Sequence, residues 1–168
     1  KIELREILLK DRPDELLKIS PKGTVPVLQL TNNNIIDESL DIINWVIKNN
    51  DSNWTDVNYD EQEQLIKTND EEFKFYLDRY KYSERYPEQS KDFYQKECEK
   101  HLIEYEEYLK KNMFLVSNKI QFVDIALSPF LRQYAHVNQL QFSKSFTKLN
   151  NYLDKILDSR LYNSVMKK

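Results

Sequence analysis

Ser20-Pro21-Lys22-Gly23-Thr24-Val25-Pro26-Val27-Leu28, followed by Asp37-Glu38-Ser39-Leu40-Asp41-Ile42, is the stretch whose reading decides the fold. It sets a Val-Pro bond at the entrance of an apolar strand, about a dozen residues ahead of an acidic-Ser pair that opens a helix. Proline tolerates the cis peptide at modest cost where other residues do not. A cis Val25-Pro26 bond is expected, turning the N–H and C=O of Val25 outward so that a peptide can dock as an added strand. Taken alone, Pro26 reads more simply as a trans proline at a strand entrance, with Gly23 relieving a turn. The flanking Ser20 to Gly23 and the Glu38-Ser39 pair favour the recognition reading. Ser39 is expected to cap the helix, and a helix start presents free N–H groups and a positive dipole end to an anion. A solvated surface cap is the plainer alternative for Ser39 in isolation.

Working outward, Ile2 to Leu9 alternates apolar and polar residues as a half-buried strand does. A short helix is expected over 14–19, behind Pro13. Val25 to Leu30 and Ile35-Ile36 form two further strands around the turn Thr31-Asn32-Asn33-Asn34, a hairpin pattern. Ser39 to Ile47 takes a helical period with Leu40, Ile43 and Ile47 on one face. The Asn- and Asp-rich run Lys48 to Asn58 is the expected linker, dividing a first domain of residues 1–50 from a second of 51–168.

The second part reads as helical throughout. Asp60 to Tyr82 is expected as one long helix with Ile66, Phe73, Leu77 and Tyr80 in a stripe. Ser90 to Lys111 places Tyr94, Cys98, Leu102, Tyr105 and Leu109 in register. Further helices are expected over 122–137, 146–158 and 160–166. One glycine and five prolines in 168 residues exclude sandwiches and barrels, which need many more turn residues.

Composition narrows the function. Acidic residues number 28 against 25 basic ones, interspersed, so no basic face points to nucleic acid. No apolar run approaches the roughly 20 residues that cross a bilayer. The single cysteine, Cys98, excludes an intrachain disulfide, and a reducing cytoplasm is the expected compartment. Cys98 lies on an apolar stripe between Glu97 and Glu99, where a thiolate is disfavoured. His101 and His136 lack metal-like spacing and a nucleophile partner, so no metal site is expected. The aromatic and basic run Phe73 to Tyr82 has its charge cancelled by Glu71, Glu72, Asp78 and Glu84, which favours helix packing over single-stranded nucleic acid.

On these motifs the chain resembles the cytosolic glutathione transferases, of a bacterial type with likeness to the Omega class. The run Phe122-Val123-Asp124-Ile125-Ala126-Leu127-Ser128-Pro129-Phe130 resembles the start of a buried helix in that family's helical domain. The family's Ser/Thr-x-x-Asp capping box has Gln121 at the cap here, which loses half the box. Asp124 can still accept from the cap N–H, with Ile120 and Ile125 as a staple, so Asp124 is expected to be structural.

The resemblance implies an α/β thioredoxin-like domain, truncated at its front, followed by an all-α domain. It implies glutathione as substrate, with Val25, next to Pro26, on the cysteinyl backbone, Glu38 and Ser39 on the γ-glutamyl end, and Arg12 on the glycyl carboxylate. Tyr76 and Tyr80 are implied as walls of the electrophile pocket. The activity implied is transfer of the glutathione thiolate to an electrophile or mixed disulfide by a homodimer that engages neither nucleic acid nor membrane. The family's catalytic Ser, Cys or Tyr belongs to a first strand-helix unit expected upstream of Lys1, so none is assigned among these residues. The rival reading is a non-catalytic subunit of this fold in a transcription or translation assembly, which has no need of Glu38-Ser39.

Overall fold

The computed structural model of the protein describes residues 2–50 and 53–166. The chain divides into two compact units, Lys1–Ser52 and Asn53–Lys168.

In the first unit, helix α1 (Asp14–Ile19) starts behind Pro13, which needs no N–H at that position, with Asp14 and Glu15 in its first turn and Lys18 in its last. Leu16 is its buried anchor, and the chain leaves through Ser20, whose N–H donates to the Leu16 carbonyl at 2.8 Å. Strands β1 (Val27–Gln29) and β2 (Ile35–Asp37) pair antiparallel in the register Val27↔Asp37, Leu28↔Ile36, Gln29↔Ile35. Asn33 takes a left-handed φ of 66°, which Asn tolerates, and the Leu30 N–H closes the hairpin on the Asn34 carbonyl at 2.8 Å. Helix α2 (Ser39–Asn49) follows at once.

Two expectations are corrected here. The strand expected over Val25 to Leu30 is confined to Val27–Gln29, because Pro26 has no N–H to give a ladder. The strand expected over Ile2 to Leu9 is absent: only the isolated bridge Leu8↔Asp11 forms, and Ile2 and Leu4 are 77% and 78% exposed. Alternation of side chains does not make a strand without a ladder partner, and no described residue pairs with 2–7.

The second unit is a helical bundle. Helices α3 (Tyr59–Thr68) and α4 (Lys74–Lys81) flank a π-helical turn, Asn69–Phe73, followed by α5 (Lys91–Lys111) and α6 (Phe122–Val137). Then come α7 (Gln139–Ser145), α8 (Thr147–Leu157) and α9 (Arg160–Met166). The expected long helix over 60–82 is therefore interrupted. The π turn inserts an extra residue, and Asn69 and Phe73, four apart, are both buried completely. Helix α7 occupies a segment for which no helix was expected; Asn138 caps it by accepting from the Gln141 N–H at 3.1 Å.

The core follows the apolar stripes. Phe73, Leu77, Cys98, Leu102, Tyr105, Leu127 and Leu131 are all essentially inaccessible. Phe73 meets the rings of His101, Tyr105 and Tyr134 at centroid distances of 5.9, 6.4 and 6.3 Å.

Asp124 fastens the start of α6. Its Oδ2 accepts from the Gln121 N–H at 2.8 Å, and its Oδ1 accepts from the Leu115 N–H at 3.0 Å and the Tyr152 hydroxyl at 3.1 Å. Burial pushes this carboxyl up to about 6, against the pull of those three donors. The Asp half of the capping box is thus in place, as the sequence implied. Gln62 completes the fastening: its Oε1 accepts from the Val123 N–H at 3.0 Å, while its Nε2 donates to the Val57 carbonyl at 2.7 Å.

Candidate functional site

The β1–β2 hairpin decides where the candidate residues meet. Its register pairs Val27 with Asp37, so the chain segments just beyond that pair, Val25-Pro26 on one strand and Glu38-Ser39 on the other, leave the sheet at the same end. Residues twelve and more apart in sequence thus become neighbours through three ladder pairs. The loop Ser20 to Thr24 joins them there: Lys22 Nζ lies 3.4 Å from Asp37 Oδ2 and 3.8 Å from Glu38 Oε1.

The Val25-Pro26 peptide is cis, as the sequence led us to expect. Val25 itself is 45% exposed, and among the described residues no backbone hydrogen bond engages its N–H or C=O. An unpaired donor and acceptor side by side on exposed backbone is what an extended peptide needs to add itself as a strand.

Gly23 is required on two counts. Its φ of +61° is one that side-chain-bearing residues rarely adopt. A Cβ there would also meet Leu17 Cδ2 at 3.0 Å and Arg12 Cδ at 3.1 Å. The second contact shows that the Arg12 stem lies across the loop, so Arg12 belongs to the same neighbourhood as Lys22.

Glu38 sits in an unusual backbone state, φ 131° and ψ 133°, immediately before α2. That region is costly for any residue with a Cβ, by about 1–3 kcal/mol, and persists only where the surroundings impose it. Here the ladder ends at Asp37 and the helix begins at Ser39, so Glu38 must turn the chain in a single residue. One expectation shifts as a result: Glu38 holds the N-cap position and Ser39 is the first helical residue. The Glu38 carbonyl accepts from the Ile42 N–H at 3.0 Å, while no side chain caps the helix start. Both Glu38 and Ser39 are exposed.

The structure therefore gathers Arg12, Val25, Pro26, Glu38 and Ser39 within the first unit. Lys22 and Asp37, which sequence reasoning did not single out as candidates, stand at the same end of the hairpin. The signal was present, since a hairpin closing on Asp37 brings the preceding Pro-Lys-Gly loop to the same end.

In the second unit the two tyrosines part company. Tyr76 is half-buried on α4, its ring 5.2 Å from that of Phe75. Tyr80 is 3% exposed and committed to the core, its ring 5.3 Å from Tyr134. Cys98 is completely buried, and burial together with Glu99 pushes its thiol far above the usual range, so it supplies no thiolate. His101 is buried against Phe73, and desolvation holds its pKa below the ordinary value. Among the described residues no group of His, Cys, Asp and Glu is arranged to hold a metal ion, and no helix is long and apolar enough to cross a membrane.

Comparison with known proteins bears on both units. Residues 1–54 match the family described as glutathione S-transferase, N-terminal domain, and residues 43–159 match glutathione S-transferase, C-terminal domain. No curated protein sequence matches the chain. Among solved structures, glutathione transferase URE2P6 from Phanerochaete chrysosporium, in complex with oxidized glutathione, is similar at a TM-score of 0.76 and 24% identity, over 91% of this chain and 76% of that one. Glutathione transferase F2 from Populus trichocarpa is similar at 0.72 and 19%, over 94% and 80%. A Gtt2-class glutathione S-transferase of Vibrio parahaemolyticus is similar at 0.72 and 14%, over 97% and 81%. At these identities the structural likeness speaks for the fold, a thioredoxin-like domain joined to a helical one.

Proposed function

Because the chain belongs to the glutathione S-transferase family, we propose that it binds glutathione at the end of the β1–β2 hairpin and presents the tripeptide's thiolate to an electrophile or a mixed disulfide. The observation that carries this reading is Glu38, held at φ 131° so that it and Ser39 stand exposed at the head of α2, beside the unpaired backbone of Val25. Strain of this kind gathers where a chain serves a ligand rather than its own packing.

In this reading each residue has a distinct task. The N–H and C=O of Val25 pair with the cysteinyl backbone of glutathione, as an added strand pairs with an edge. The Ser39 hydroxyl and the free N–H groups of the first turn of α2 receive the α-carboxylate of the γ-glutamyl group. The Glu38 carboxylate accepts from its ammonium, and the Arg12 guanidinium donates to the glycyl carboxylate. Tripeptide and helix start together fix the sulfur in one place, which lowers the entropic part of the barrier to attack. The sulfur then bonds to an electrophilic carbon while the leaving group departs with its electron pair. On a mixed disulfide it bonds to one sulfur and expels the other as thiolate. The group that stabilises the thiolate is not assigned among the described residues, and Cys98 is unsuited to the task. Tyr76 is the candidate wall for the electrophile, because the Tyr80 ring is spent on the core.

The assembly we propose is a two-fold homodimer in a reducing cytoplasm, using Ile43 to Ile47 on one copy and the segment 60–82 on the other. In support, α2 buries none of its own residues. Sedimentation as a monomer at micromolar concentration would remove the dimer from this account.

Titration calorimetry tests the binding site. Glu38→Ala and Ser39→Ala are each expected to weaken glutathione binding by roughly 1–3 kcal/mol, the scale of a lost hydrogen bond to a charged group. Unchanged affinity in both variants would place the site elsewhere.

A further inference from the structure

Lys22 faces two carboxylates, Asp37 Oδ2 at 3.4 Å and Glu38 Oε1 at 3.8 Å. Both separations exceed the about 2.8 Å of a charge-assisted hydrogen bond. The Lys22 and Glu38 side chains are also 62% and 63% exposed, and pairs of this kind hold their partners weakly. What the backbone fixes is the turn that carries Lys22, from which the ammonium reaches both acids. Next to Lys22, Gly23 takes φ +61°, its N–H donates to the Ser20 carbonyl at 2.9 Å, and the Arg12 stem covers the turn. The loop thus delivers one positive charge to the two negative charges at the hairpin end, and none of the three is consumed by a tight bond.

This trio has a preferred ligand. A ligand bearing only an ammonium would be drawn to Glu38 but repelled by Lys22, whose Nζ lies 3.8 Å from that carboxylate. A ligand bearing only a carboxylate would meet the reverse conflict with Asp37 and Glu38. A zwitterionic α-amino acid group resolves both, since its carboxylate can face Lys22 while its ammonium faces the acids, leaving every charge beside its opposite. We propose that Lys22 is a specificity-determining residue that reads the α-carboxylate of the γ-glutamyl group, with Asp37 joining Glu38 on its ammonium. The proposal rests on the glutathione reading above and adds to it a requirement for the intact zwitterion.

The test is a cycle between protein and ligand. Affinity is measured by calorimetry for glutathione and for γ-aminobutyryl-cysteinyl-glycine, the same tripeptide without the α-carboxylate, in the native protein, Lys22→Met and Lys22→Arg. The native protein should prefer glutathione by about tenfold or more, the scale of one charge-assisted contact. Lys22→Met should shrink that preference by roughly three- to tenfold, chiefly by weakening glutathione, and Lys22→Arg should retain it. If Lys22 only props Glu38 in place, Lys22→Met would weaken both ligands alike, and that outcome overturns the proposal. An unchanged preference in Lys22→Met overturns it too, while leaving the glutathione site intact if Glu38→Ala still weakens binding. Failure of the native protein to bind either ligand would instead overturn the glutathione reading, and this proposal with it.

Discussion

The two units of this chain hold their shapes by different means. In the helical unit, shape comes from side chains: Phe73, Leu102, Tyr105, Leu127 and Tyr152 are almost wholly inaccessible, and a buried carboxylate ties three segments together. In the small unit, among the described residues, only Leu16, Ser20 and Gly23 are buried, and the hairpin has three ladder pairs. Its form depends instead on backbone states at single positions: Gly23 at φ +61°, Asn33 at 66° and Glu38 at 131°. Packing shapes a unit that tolerates modest change at any one residue, whereas backbone specials shape a unit that tolerates little change at a few. The candidate chemistry sits on the second kind, where exposed backbone and loosely paired charges are available to a ligand.

Substitutions should separate the two kinds. Phe73→Ala empties a completely buried site touched by three aromatic rings and should cost about 3–5 kcal/mol in denaturant unfolding. Glutathione affinity measured well below the transition should hardly change. A large loss of affinity in a folded Phe73→Ala protein would blur the contrast.

Acidity probes the same core through Asp124. Its carboxyl is raised to about 6 in the fold, against about 3.9 in an unfolded chain. The folded state therefore takes up the proton first. The contribution to stability is full below about pH 4 and is lost as pH rises through about 6. The stability of the native protein relative to Asp124→Asn should thus grow by on the order of 2 kcal/mol between about pH 7.5 and about pH 4. A flat difference across that range would mean that Asp124 is ionised in the fold at an ordinary pKa.

Gly23→Ala is the complementary change in the small unit. The left-handed φ and the 3.0 Å approach to Leu17 should cost about 1–2 kcal/mol. The loss should be read in glutathione affinity and in exchange of small-unit amides, with the main unfolding transition left in place. A lowered main transition with unaltered affinity would reverse the assignment of roles.

The sequence was legible where periodicity carries information. The stripes through Tyr94, Cys98, Leu102, Tyr105 and Leu109 and the Asp half of the α6 cap stand in the structure as the sequence implied. The hairpin was legible because turn residues act locally, and the cis Val25-Pro26 bond because Ser20 to Gly23 and Glu38-Ser39 flank a proline that alone reads as trans. Ile2 to Leu9 misled because alternation reports which face a side chain would take and says nothing of a ladder partner. The π turn at Asn69–Phe73 escaped because one inserted residue shifts a helical stripe without ending it. Tyr80 was read in the apolar stripe with Phe73 and Leu77 and, through the resemblance, as a pocket wall; its ring is buried in the stripe beside Tyr134. Lys22 was passed over because an exposed ion pair leaves no periodic trace.

The central claim is that glutathione engages the backbone-shaped end of the hairpin. It is tested most directly by following backbone amide resonances of the protein as glutathione is added. The account predicts the largest shifts at Val25, Ser39 and Leu40, saturating together, with Lys22 and Gly23 following and the interior of α5 unmoved. Shifts confined to residues 53–166, with Val25 and Ser39 still at saturating glutathione, would contradict it.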